Sequence, residues 1–227
     1  MTAVALPLSI LEEDVLHFLG YPGGRRPASR IALLVDQAVK EARALAKGRG
    51  AFRRLPVSEA SEIGLAHERA DGLVIGLVTV GEGLERRVTE LLGEGLDSLA
   101  LLLDAAGSAA AEEAARRLSA RMVGAKTAAT ADVSCRISPG YGRWPLAAQA
   151  ALFARLPHED LGVSLSSSMM MTPRKSISFA LWIGAREIPG SGLSGCDRCG
   201  LSTCRYRRTD PAEPEAGRPP SRRKALR

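Results

Sequence analysis

Residues 72–80 read Gly-Leu-Val-Ile-Gly-Leu-Val-Thr-Val, an aliphatic and β-branched run bounded by glycine and without polar alternation. A strand with one wet face alternates apolar and polar side chains, so this run predicts a strand buried on both faces. The chain must therefore supply cover for both sides of a sheet. Residues 82–92 and 96–122 have helical periodicity, and the Ala-rich part from 109 to 121 suits close helix packing. Gly107 is placed to kink or divide the second of these segments.

Upstream, Ser9-Ile-Leu-Glu12 has the spacing of a capping box, and Ile10, Leu11, Val15, Phe18 and Leu19 form an apolar stripe that stops at Gly20. After a Pro- and Gly-rich loop, Ser29 is placed to cap a long helix carrying Ile31, Leu34, Val35, Val39 and Leu45. Residues 51–70 read as short strands and turns. Downstream, Pro145 occupies a first-helical position before the stripe Leu146, Ala150, Phe153 and Leu156. Residues 162–166 and 176–184 are strand candidates. Helices and strands interleave without a regular βαβ repeat, which predicts an α+β fold.

The formal net charge of +6 is uneven: residues 195–227 carry nine Lys/Arg and four Asp/Glu, a balance of +5, leaving +1 for the remainder. A basic tail on a nearly neutral body argues against nucleic-acid reading and suits solubility or contact with an acidic partner. The N-terminal residues lack a basic n-region, so no secretory signal is expected. No apolar run reaches the roughly 18 residues of a membrane span, and a cytoplasmic protein is expected. In a reducing compartment, Cys196, Cys199 and Cys204 point to a metal or redox site rather than a disulfide framework. Thiolates at this spacing could hold zinc or an iron–sulfur cluster, with Cys135 as a fourth donor, and free or redox-active thiols are the alternatives. Residues 209–227 lack apolar periodicity and are expected to be disordered. The expected organisation is a domain over 1–194, a Cys-rich segment over 195–208 and a basic tail over 209–227.

Aromatic residues make up only 4% of the chain, which draws attention to Tyr141, Trp144 and Trp182. Tyr141 lies in Arg136-Ile-Ser-Pro-Gly-Tyr-Gly-Arg-Trp-Pro-Leu146, where Gly140 and Gly142 can leave backbone groups accessible on either side of its ring. Arg136 offers a planar fork for a carboxylate or phosphate, and Tyr141 a ring face and a hydroxyl. These features suit a ligand with a carboxylate at one end and a flat heterocycle at the other. From spacing alone, a tight Pro-Gly turn whose Arg pairs with a nearby Asp is the preferred reading. The Ser166-Ser-Ser-Met-Met-Met-Thr-Pro-Arg-Lys-Ser176 stretch reads as apolar filler or as a soft docking surface, with Arg174 and Lys175 as solvated cations or anion contacts.

The Arg136-x-x-Pro-Gly-Tyr141 motif, Pro145-Leu146 with Gln149 and Leu152-Phe153, Gly162-Val-Ser-Leu, and Met170 with Pro173 and Lys175-Ser176 occur in an order that resembles the reactivation domain of cobalamin-dependent methionine synthase. The resemblance extends more weakly to Glu13-x-Val-Leu-x-x-Leu-Gly20 and to Leu102-Leu-Asp-Ala-Ala-Gly-Ser108 with Glu112. It implies a twisted, mainly antiparallel sheet with flanking helices. It also implies binding of S-adenosylmethionine, with Arg136 on the amino-acid carboxylate, backbone at Ile137 and Gly140 against adenine, Tyr141 lining the groove and Glu112 near the positive end. Ile137-Ser138 and Gly142 depart from the family's loop pattern. The implied role is reductive methylation of cobalamin held by a separate methionine synthase core, with a flavodoxin or ferredoxin-like electron donor. Two alternatives stay open: a metal-stabilised interaction module, and an activator of another corrinoid methyltransferase.

Overall fold

The computed structural model describes residues 3–21, 26–65, 70–123, 133–134, 136–141 and 144–184. Its centre is β3 (Gly72–Thr79), which pairs antiparallel along its whole length with β2 (Arg49–Leu55) on one side and β6 (Ser176–Ile183) on the other. A short β1 (Val4–Ala5) completes the four-stranded order β1-β2-β3-β6. Seven of the eight β3 residues are buried, as a doubly covered strand requires. β2 is one continuous seven-residue strand, where sequence alone suggested shorter pieces; its register against β3 overrides the weak propensity of Arg-Gly-Ala-Phe-Arg-Arg-Leu.

One face of the sheet is covered by α1 (Glu12–Phe18), α2 (Ser29–Leu45), α3 (Gly83–Gly93) and α4 (Asp97–Val123). Helix α4 lies directly on β2, β3 and β6 and packs against the other three helices, so it is buried on more than one side. The sequence suits this: Ala100, Ala105, Ala106, Ala109, Ala110, Ala111, Ala114 and Ala115 are all buried and let neighbouring backbones approach closely. Val74, Val78, Phe179, Leu181 and Leu118 fill the space between. On the opposite face, Leu73, Ile75, Leu77, Ala180 and Trp182 meet Trp144, Leu152, Phe153, Leu156 and Leu161. Those residues come from the segment carrying α5 (Gln149–Phe153) and the small hairpin of β4 (Ser164–Leu165) and β5 (Met171–Thr172). The result is an α+β architecture with an antiparallel sheet. No helix among the described residues is long and apolar enough to cross a membrane.

Four local expectations are corrected. Ser29 does not cap α2 but is its first residue, after Ala28, and the helix has no side-chain cap. Ser9 does not cap α1, which begins at Glu12 without a side-chain cap. Its amide instead donates to Glu113 Oε1 at 3.4 Å and its hydroxyl accepts from Arg117 at 3.1 Å, so a contact over 100 residues away displaces the local one. Gly107 does not divide α4, which is one continuous helix; the missing side chain lets the stem of Lys175 cross there. Pro145 precedes a 3-10 turn, Leu146–Ala148, rather than the α-helix itself, and Leu146 and Ala150 are exposed.

Glu113 is 3% exposed and is held by Arg117 Nε at 2.6 Å and Arg116 Nε at 2.8 Å. Burial alone would raise its pKa, but the two guanidinium groups outweigh it and hold the carboxyl below the ordinary 4.5. A depressed folded-state pKa contributes stability that is complete above the unfolded value and is lost as pH falls through the folded one. Glu113→Gln is therefore expected to lower unfolding free energy near neutral pH by about 1–3 kcal/mol. The deficit should shrink as pH drops below 4.5. Urea midpoints across that range check this; a deficit independent of pH would contradict it.

Candidate functional site

The segment containing Arg136 is laid along the outer edge of β6. Val133 bridges Ile183 and Ile137 bridges Ala180, with Ile137 and Ala180 exchanging hydrogen bonds of 2.9 and 2.8 Å. Ser134 adds two more: its amide donates to the Trp182 carbonyl at 3.1 Å, and the Trp182 amide donates to its hydroxyl at 2.9 Å. This fixes the backbone on both sides of Arg136 and directs its side chain to the α4 side of the sheet.

There the Arg136 guanidinium lies over the Phe179 ring, 5.5 Å from its centroid, and one terminal nitrogen donates to Glu112 Oε2 at 2.8 Å. The Arg136 side chain is 16% exposed and that of Glu112 is 43% exposed. Arg136 Nε is buried and has no hydrogen-bond partner among the described residues. A buried donor without a partner is costly, and a guanidinium carries five N–H donors in a fork matched to two carboxylate oxygens. The Glu112 contact engages one terminal nitrogen of that fork.

Ser138, Pro139, Gly140 and Tyr141 form the turn that follows. Pro139 and a glycine with φ of +91° at the next position suit a type II turn, closed by the Tyr141 amide donating to the Ser138 carbonyl at 3.1 Å. The Gly140 amide donates to the Trp144 carbonyl at 2.9 Å, and the Trp144 amide to the Tyr141 carbonyl at 3.1 Å. Trp144 is buried and its indole N–H donates to the Ile63 carbonyl at 2.6 Å, which anchors the turn to the core. Tyr141 remains 67% exposed, and Leu146, itself exposed, lies beside Gly140. An exposed tyrosine and an exposed leucine thus lie on the turn that follows Arg136 in the chain. The amides of Ile137 and Gly140 are engaged within the protein, so those residues offer a ligand other surfaces than these N–H groups.

Among the sequence-derived site residues, the structure brings Arg136 and Glu112 into direct contact and places Ile137, Gly140 and Tyr141 on the adjoining strand and turn. Cys196, Cys199 and Cys204, together with Cys135 and the two segments after residue 194, lie outside the described residues. No group of three or more metal-ligating side chains occurs among the described ones.

Sequence reasoning missed what lies beneath Arg136 and how the neighbouring face of α4 is used. Phe179 supports Arg136, and the strand alternation of β6 places it on the α4 side. Asp104, Ser108 and Glu112 recur every fourth residue on α4, a spacing that puts them on one helical face. Lys175 crosses α4 at Gly107, and its ammonium reaches Asp104 Oδ1 at 2.8 Å and Ser108 Oγ at 2.9 Å. Lys175 and Arg174 are therefore paired cations, the latter 3.9 Å from Glu85. An open depression lined by Glu82, Glu85, Thr89, Ser164 and Arg174 lies between α3 and the β4–β5 hairpin and contains none of the candidate residues.

No protein-family model matches the chain, and no curated protein sequence matches it. Among solved structures, the chain is similar to the MetH reactivation domain bound to AdoHcy, at a TM-score of 0.58 and 13% identity. The match covers 85% of this chain and 81% of that one. At that identity the likeness establishes a shared fold.

Proposed function

We propose that the chain binds S-adenosylmethionine where the Arg136 segment meets α4 and presents it for reductive reactivation of a cobalamin-dependent methionine synthase. The observation that carries this reading is the largely buried Arg136 side chain, seated on Phe179 with Nε unmatched among the described residues. Support comes from the fold shared with a reactivation domain bound to AdoHcy, the demethylated form of this methyl donor.

The methyl donor supplies an activated methyl group on a sulfonium centre; the protein's work is to bind and orient it. Arg136 would hold the amino-acid carboxylate, the Tyr141 ring and the Ile137–Gly140 backbone would flank the adenine end, and Glu112 would face positive charge. Methyl transfer to a corrinoid needs no general base. Neither described histidine lies at the Arg136 site: His158 Nδ1 is tied to the Val163 carbonyl at 2.9 Å, and His17 packs edge-on against Phe18. The partner would be the corrinoid-bearing core, acting in the cytoplasm with a flavodoxin or ferredoxin-like electron donor. We also propose that Cys196, Cys199 and Cys204 hold zinc or an iron–sulfur cluster; purified protein free of metal yet fully functional would refute that.

The functional test supplies the chain to a methionine synthase core deprived of its own reactivation domain, with the corrinoid as Co(II), a reductant and methyl-labelled S-adenosylmethionine. Label is expected on the corrinoid with the wild type and to be strongly reduced with Arg136→Ala. Absence of label with wild type, under conditions where an intact synthase is methylated, would reject the role.

A further inference from the structure

Glu112 and Arg136 come from α4 and from the segment beside β6, and each is suited to a different end of a zwitterionic ligand, yet they bind each other. Resting on the S-adenosylmethionine reading above, we infer that this ion pair is a charge gate. Glu112 occupies the carboxylate site of Arg136 when no ligand is bound, and it returns there when the bound donor loses its sulfonium charge. The gate makes the site prefer the methyl donor over its demethylated product and favours product release.

Three observations support the exchange. The pair is unequal: Arg136 is held on the Phe179 ring and is largely buried, whereas Glu112 is the exposed member and can turn outward without being stranded in the core. The contact uses one terminal nitrogen of Arg136, while Nε stays without a partner among the described residues. A ligand carboxylate offering two oxygens can make the bidentate contact that Glu112 does not, and so can displace it. Glu112 is also poorly served elsewhere. Arg116, one turn further along α4, senses its charge but is already engaged by Glu113 and lies 3.9 Å from Asp14.

Once displaced, Glu112 remains tethered beside the ligand. Its charge opposes the bound carboxylate and is offset by the ligand's ammonium and sulfonium groups. Donation of the methyl group breaks one S–C bond, whose electron pair stays on sulfur, while the acceptor's pair forms the new bond to carbon. The sulfonium becomes a neutral thioether and the ligand's net charge falls by one. Glu112 then loses its nearest compensation and competes again for Arg136.

The test is calorimetry of the full chain with S-adenosylmethionine and with S-adenosylhomocysteine, for wild type and Glu112→Gln, which keeps size and removes charge. Wild type is expected to bind the sulfonium ligand about five- to tenfold more tightly, as suits a partly exposed charge contact. In Glu112→Gln the thioether should bind more tightly than to wild type, and the preference should fall below about twofold. An unchanged preference, or equal weakening of both ligands, would overturn the gate and leave Glu112 as a positioning residue for Arg136. Failure of wild type to bind either compound is a distinct result that removes the underlying reading as well.

Discussion

Gly76→Ala is expected to destabilise the protein by about 1–3 kcal/mol and to weaken ligand binding, although Gly76 contacts no ligand. Gly76 sits at the centre of β3 directly opposite Phe179 on β6. A Cβ built there would lie 2.9 Å from Phe179 Cζ, 3.2 Å from its Cε1 and 3.3 Å from Leu118 Cδ2. Phe179 and Leu118 are fully buried, so neither can yield cheaply. Replacing glycine in a strand ordinarily gains about 0.4–1 kcal/mol through a less mobile unfolded chain, and the crowding must exceed that gain. Three sub-contact distances in a packed core do so. The same ring is the platform beneath Arg136, so moving it shifts the guanidinium as well.

Urea unfolding with calorimetry on the variant checks both parts. The double variant Gly76→Ala with Phe179→Leu separates crowding from other causes: relieving the ring contact should make it less destabilised than the sum of the single changes. Additive effects would show that the missing Cβ at Gly76 is not what seats the ring.

The parts of the fold that sequence reveals are those set by local pattern. The unbroken aliphatic run of β3 announced a doubly covered strand, and the Ala-rich period of α4 announced close packing. What it concealed depends on residues far apart in the chain. Ser9 has a good local partner in Glu12, yet Glu113 and Arg117 claim it, because burying Glu113 requires every available donor. Gly107 looked like a helix breaker because its reason, the stem of Lys175, arrives from 68 positions later. β2 reads poorly by itself and becomes a strand because β3 offers seven registered partners.

The site divides the same way. Arg136, Pro139, Gly140 and Tyr141 were legible as one loop, since a fork, a turn and an exposed ring follow one another there. Phe179 and Gly76 were not, since only the β3–β6 register sets the ring beneath the guanidinium. Glu112 was legible as a charged residue on α4, but its pairing with Arg136 was not. The acid that Arg136 meets is Glu112 on α4 rather than a nearby Asp, and Arg136 Nε has no partner among the described residues.

The second large effect falls on ligand binding itself. On the proposed binding mode, Arg136→Ala would remove a charge-assisted, fork-shaped contact worth about 1.5–3 kcal/mol, or roughly ten- to 150-fold in affinity. It should cost less in stability, because Arg136 leaves behind only Glu112, which is exposed enough to be hydrated. Arg136→Lys keeps the charge and loses the planar fork, so its affinity should fall between those of the wild type and the alanine variant. This ordering distinguishes a bidentate carboxylate contact from simple charge attraction, which Lys would satisfy equally.

The most direct measurement is calorimetric titration of S-adenosylmethionine into the wild type and into Arg136→Ala, with folding of both verified by circular dichroism. The proposed site predicts saturable heat with the wild type and at least a roughly tenfold loss of affinity in the variant. No binding by the wild type, or equal affinity in the two proteins, would contradict it.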